Sequence, residues 1–218
     1  MHIYIEYCII LSSFCFWFYI DSKKIFNGDK ENKIVNSALI HGTICGIGIN
    51  IGYIYNPSII YNYVVEPELY NMYIIVPLIS FGYGFYDLYI GIKSRKTDAL
   101  IHGILFSLCA IYVYFNDNIL LSYTFLVTET SSIFLNLRVF RKQWIDVLFV
   151  LSFFIYRIIF TPVISYIYLN DSTNKSLTFG YISSISITIL NLYWFYLILM
   201  KALKSNKKIT EIEEIKNN

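Results

Sequence analysis

Residues Trp144–Leu169 read WIDVLFVLSFFIYRIIFTPVISYIYL, and within that run only Asp146 and Arg157 carry a charge. The hydrocarbon core of a bilayer is about 30 Å thick, and a helix rising about 1.5 Å per residue crosses it in roughly 20 mostly apolar residues. The run is long enough to do so. A strand of a membrane barrel would be shorter and would alternate apolar with polar residues; this run is continuously apolar. It therefore reads as a transmembrane helix.

Six further runs share this character: Ile3–Ile20, Ile34–Tyr55, Tyr70–Ile92, Asp98–Phe115, Ile119–Val139 and Leu177–Lys201. The sequence predicts an all-α, polytopic transmembrane helical bundle of about seven spans. Composition agrees, because 15% of the residues are charged and 56% are hydrophobic, whereas a soluble domain carries about a quarter charged residues. The first run lacks a basic leader and a small-residue cleavage site, carries Glu6, and is followed by Asp21-Ser-Lys-Lys24. It is read as a retained helix and not as a signal peptide.

The basic residues set the orientation. Of the 17 Lys and Arg, 15 fall in the first loop (Lys23, Lys24, Lys30, Lys33), the third (Lys93, Arg95, Lys96), the fifth (Arg138, Arg141, Lys142) and the tail (Lys201, Lys204, Lys207, Lys208, Lys216). The exceptions are Lys175 in the sixth loop and Arg157 inside a run. Positive charge stays cytosolic. The odd loops and the carboxyl terminus are expected in the cytosol, and the amino terminus on the lumenal or outer side. Asn170-Asp-Ser172 and Asn174-Lys-Ser176 fit the glycosylation pattern, which short sequences also meet by chance.

A charge near the bilayer centre costs about 2.5–3.5 kcal/mol and usually faces the protein interior. His41, Asp87 and His102 are expected within about two turns of the cytosolic side, Glu129 deeper, and Arg157 near the midplane, with Asn191 in the same half. Helical spacing gives each run one polar face: Ser37, His41, Gly48 and Gly52; Ser80, Gly84, Asp87 and Gly91; Asp98 and His102; Glu129, Ser132 and Asn136. The inferred picture is a bundle around a polar-lined pocket open towards the cytosol.

Plainer readings stand beside that one. Gly42-x-x-x-Gly46 and Gly48-x-x-x-Gly52 read as close helix packing. His41 reads as an interhelical hydrogen-bonding residue, and Asp87 with Arg157 as either an ion-pair system or pocket groups. Arg138 can snorkel to phosphates, and Trp144 reads as an interfacial anchor. Glu129, a carboxylate at that depth, needs a partner or a proton. Cys8, Cys15, Cys45 and Cys109 lie in apolar runs without metal-site spacing and read as small packing residues. No zinc, other metal, disulfide, nucleotide site or nucleic-acid partner is expected.

Thr128-Glu129-Thr-Ser-Ser132-Ile-Phe134-Leu-Asn136-Leu-Arg138 resembles the Glu-x-Ser…Phe-x-Asn-Leu-Arg signature of TLC-domain proteins. Ser37-Ala-Leu-Ile-His41 is similar to the Ser-x-x-x-His of their first core helix, and Gly82-Tyr-Gly-Phe-Tyr86-Asp87 to their Gly-Tyr…Tyr-Asp helix. Asp98-Ala-Leu-Ile-His102, Phe154-Ile-Tyr-Arg157-Ile and Asn191-Leu-Tyr-Trp194-Phe resemble three later helices, in the same order. The resemblance implies a six-helix domain over 34–203, preceded by one helix and a cytosolic loop (1–33) and followed by a charged cytosolic tail (204–218).

The family includes ceramide synthases and members that influence membrane lipid composition, usually in the endoplasmic reticulum. Ceramide synthases carry adjacent histidines where this chain has His102-Gly103, and paired aspartates where it has Glu129 and Ser132. The pattern is closer to the non-synthase branch. The resemblance thus implies a membrane protein that binds lipid and influences lipid composition or trafficking. His41, Asp87, His102, Glu129, Asn136, Arg157 and Asn191 would be its pocket residues, with membrane lipids as partners and no cofactor. The alternative is a sphingoid-base N-acyltransferase with acyl-CoA as co-substrate, His102 as base, and Glu129 or Asp98 orienting it. A seven-helix receptor or transporter is the weaker reading, since no three-helix repeat is visible.

Overall fold

The computed structural model describes residues 3–23, 36–57, 67–95, 97–115, 122, 125–170, 182 and 184–202. The expectations for Lys24, Lys30, Lys33, Lys96, Asn174, Lys175 and the tail from 203 onward lie outside those residues, as does the side chain of Asp98. Every regular element among the described residues is helical. The long helices are α1 (Ile3–Lys23), α2 (Asn36–Tyr55), α3 (Pro67–Ser94) and α4 (Thr97–Phe115). A short α5 (Thr130–Leu137) follows, with one 3-10 turn before it (Val127–Glu129) and one after it (Arg138–Phe140). Next, α6 (Gln143–Phe153) runs through a π-helical stretch (Phe154–Phe160) into α7 (Thr161–Asn170), and α8 covers Ser184–Ala202.

Five helical stretches are long and apolar enough to cross a membrane: Ile3–Ser22, Ser37–Tyr55, Tyr73–Ser94, Gln143–Ile167 and Ser184–Ala202. Leu100–Phe115 is a shorter apolar helix. The run expected over Ile119–Val139 is described continuously from residue 125. Leu11, Ile47, Ile92, Leu108, Leu151 and Ile189 are each more than half exposed. Water would penalise such faces at roughly 25 cal/mol per Å² of apolar surface, and lipid does not. The chain is an all-α, multi-pass integral membrane protein.

Two compact units divide the chain, Met1–Phe149 and Val150–Asn218. In the first, α3 packs mainly on α4 and α1, and α2 on α5. Ile74, Leu78 and Phe81 of α3 close a buried cluster with Ala110 and Val113 of α4. A second cluster joins Trp17 of α1 to Tyr83 and Tyr86 of α3. The α2–α5 contact rests on small residues, as the Gly42-x-x-x-Gly46 spacing predicts. A Cβ on Gly42 would lie 3.3 Å from the Glu129 carbonyl oxygen, and one on Gly46 would lie 3.0 Å from Thr130 Cα. Asn50 Nδ2 adds a 3.1 Å bond to Thr130 Oγ1 across the same contact.

Polar groups also fasten α1. Ser13 Oγ donates to the Ile79 carbonyl at 2.7 Å and accepts from Trp17 Nε1 at 2.9 Å. Asp21 then accepts from the Ser37 backbone N–H at 3.1 Å and from the Tyr86 hydroxyl. Ser37 is in the first turn of α2, where backbone N–H groups have no intrahelical acceptor, so a carboxylate is well placed there.

The second unit contains the π-helical stretch, whose carbonyls pair with the N–H five residues on. For Arg157 that position is Pro162, which has no N–H. The Asn191 side chain, 2% exposed, donates to the Arg157 carbonyl at 3.3 Å. Thr161 Oγ1 donates to the Tyr156 carbonyl at 2.9 Å.

Candidate functional site: two histidine clusters on α3

Asp87 of α3 and His102 of α4 form the first cluster, with Oδ2 and Nδ1 2.7 Å apart. With Asp87 ionised, its carboxylate only accepts, and Nδ1 is then the donor. The side chains are 17% and 31% exposed respectively, so the imidazole is the more accessible partner. Residue 103 makes this meeting possible. A Cβ there would lie 2.5 Å from Leu88 Cα and N, and 3.0 Å from the Asp87 carbonyl carbon. Only glycine lets the two backbones touch at the level of the pair. The same contact leaves no room for a second histidine at 103.

His41 centres the second cluster and is 1% exposed. Its Nε2 lies 3.1 Å from Ser80 Oγ and 3.3 Å from Cys45 Sγ, and those two are 3.0 Å apart. The imidazole stacks on Tyr83 with centroids 3.9 Å apart and planes 9° apart. Trp17 meets it edge-on at 5.8 Å. Phe106 links the clusters, its ring 6.2 Å from that of His41 and 5.8 Å from that of His102. His41 is an interhelical hydrogen-bonding residue in this arrangement, joining α2 to α3.

Glu129 is buried, and its charge reaches His41, as do those of Asp87 and His102. Asp87, His102 and Glu129 thus all lie within electrostatic range of His41. Asn136 serves its own helix, donating to the Ser132 carbonyl at 2.7 Å. Arg157 and Asn191 belong to the second unit, where they meet through the Arg157 carbonyl; the Arg157 guanidinium lies over the Phe153 ring at 5.4 Å. Arg138 pairs with Asp146 at 2.5 Å and lies over the Phe149 ring.

Residues 36–200 match the family model described as the TLC domain. The chain belongs to the TLC-domain family. Comparison with curated proteins and with solved structures gives no match. Both histidine clusters of this TLC-domain protein lie in the matched region, whereas Trp17 and Asp21 come from the helix in front of it.

Sequence reasoning missed several participants. Cys45, read as a packing residue, is the third member of the His41–Ser80 triangle, and its position four residues after His41 was the available signal. Tyr83, which stacks on His41, was legible only as the tyrosine of the Gly82-Tyr motif, with nothing to mark it as a partner of that histidine. All four cysteines are free thiols, with Cys45 the buried one.

Proposed function

We propose that this TLC-domain protein binds lipid among its spans and influences membrane lipid composition or trafficking. The observation behind this reading is the pair of polar clusters, His41–Ser80–Cys45 and His102–Asp87, on adjoining helices inside a membrane domain. Polar groups at that depth are costly to insert and mark ligand or proton sites by default. A bundle needing only stability would fill those positions with apolar residues at lower cost. The proposal includes endoplasmic reticulum or a related membrane as location, with the amino terminus lumenal and the carboxyl terminus cytosolic.

The experiment is lipid profiling of cells expressing the wild type, His102→Ala or Asp87→Ala at equal levels. A change in lipid composition with the wild type that both variants lose supports the reading. Identical profiles in all three, with each protein folded in the membrane, oppose it.

A second reading is acyl-CoA-dependent N-acylation of a long-chain amine, favoured by the His102–Asp87 geometry. The amine nitrogen would attack the thioester carbonyl while His102 Nε2 takes its proton. The C–N bond forms, the C–S bond breaks, and coenzyme A leaves as the thiol after receiving that proton. Mass spectrometry of the purified protein with acyl-CoA and a sphingoid base tests this against a His102→Ala control. An N-acylated product that requires His102 supports the transferase, and no product from folded protein excludes it.

A further inference from the structure

We propose that the segment Phe140–Trp144 is a docking surface for anionic phospholipid. Arg141 and Lys142 meet the head-group phosphates, and the Phe140 and Trp144 rings seat the segment at the membrane interface. The inference does not require a lipid among the spans.

Placement supports it first. The span Gln143–Ile167 begins one residue after Lys142, so both basic side chains stand at head-group depth. Residues 140–144 are all exposed, whereas Ile145 is buried. Phe140 is 54% and Trp144 59% exposed, and tryptophan at a span end is an interfacial anchor. Charge supports it next. The charged residues from 138 to 146 are Arg138, Arg141, Lys142 and Asp146. Arg138 and Asp146 pair and cancel, which leaves the excess positive charge on Arg141 and Lys142. Each basic group near an anionic surface adds to the attraction.

The backbone is the third support. Arg141 has a φ of 52°, and Arg95, one residue past the span Tyr73–Ser94, has a φ of 53°. That left-handed region suits glycine and penalises other residues. The Arg141 N–H donates to the Arg138 carbonyl at 2.9 Å, and the Lys142 carbonyl accepts from the Ile145 N–H at 2.9 Å. The turn is thus fixed on both sides of the two basic residues. Arginines where glycine would fit better are accounted for by what their side chains meet. Both stand at one end of the first unit. His41 meets Ser80 and Gly48 meets Val76, so α2 runs antiparallel to α3; Gly42 meets Ile133 and Asn50 reaches Thr130, so it runs antiparallel to α5 as well. Every described Lys and Arg of that unit lies at this end, and Glu6 at the other. In the proposed orientation this end faces the cytosolic leaflet, which carries the anionic lipid.

The test uses the full chain in phosphatidylcholine nanodiscs. They contain a small fraction of phosphatidylserine brominated on its acyl chains, or the same fraction of equally brominated phosphatidylcholine. Trp144 fluorescence, taken as the difference between the wild type and Trp144→Phe, reads which lipid lies beside the segment. Brominated phosphatidylserine should quench as if enriched about fivefold per basic side chain, and added salt should shrink the advantage. Arg141→Gly with Lys142→Gln should abolish it, and glycine suits the left-handed turn. Lys142→Gln alone, at an exposed position, should lose part of it and carries the comparison if the double variant fails to fold. Equal quenching by the two lipids in the wild type, or an advantage that these variants keep in full, overturns the proposal. Displacement of phosphatidylserine by inorganic phosphate at constant ionic strength makes a soluble phosphate the ligand and overturns the lipid assignment.

Discussion

Gly103 of α4 lies against Leu88 of α3 so closely that a Cβ on the glycine would stand 2.5 Å from Leu88 Cα. Backbone cannot yield as the end of a flexible side chain can, so any larger residue pushes the helices apart. Gly103→Ala is expected to destabilise the protein by roughly 1–3 kcal/mol through overpacking and to loosen the Asp87–His102 bond with it. Thermal unfolding in detergent micelles measures the first effect. An unchanged melting temperature contradicts it, since alanine is otherwise the better helix former.

Two of the glycines of α2, Gly46 and Gly48, make a contrasting pair. At Gly46 a Cβ meets Thr130 Cα at 3.0 Å, whereas at Gly48, among the described residues, it meets the Val76 Cγ2 methyl at 3.4 Å. Gly46→Val should cost about 2 kcal/mol, while Gly48→Ala should be neutral or stabilise by up to about 1 kcal/mol through helix propensity. Denaturant titration of the two variants should rank them in that order, and the reverse order would refute the α2–α5 contact.

Ser80 supplies the hydroxyl shared by His41 and Cys45. Ser80→Ala leaves those two only each other. Side-chain hydrogen bonds between membrane helices are worth about 0.6 kcal/mol on average and up to roughly 1.7, so a loss near 1 kcal/mol is expected. A more stable variant would show that the triangle contributes nothing.

Asp21 joins α1 to the start of α2 through Ser37 N–H and to α3 through Tyr86. Removing a carboxylate from a helix start typically costs about 1 kcal/mol, which corresponds to roughly fivefold faster opening. Hydrogen exchange over the first turn of α2 should accelerate by that factor in Asp21→Ala. Unaltered exchange there means the carboxylate does not hold the two helices.

Hydropathy made five of the described helical stretches legible because those are long and apolar enough to span a membrane. The Gly42-x-x-x-Gly46 contact was legible as well, because small residues four apart have few other uses in lipid. The partners were less legible. His102 has an acidic residue at i−4, Asp98, but the described partner is Asp87 on another helix. Which faces meet depends on how helices rotate against one another, and an apolar run carries little information about rotation. The same applies to Asn191: it donates to the Arg157 carbonyl within a π-helical stretch that ends just before Pro162, and a proline in sequence does not announce a π stretch.

Native mass spectrometry of the detergent-released protein tests the central claim most directly. The wild type should retain lipid, and Asp87→Ala, which removes the carboxylate bonded to His102, should retain less. A folded wild-type protein that leaves the membrane without bound lipid would contradict the account.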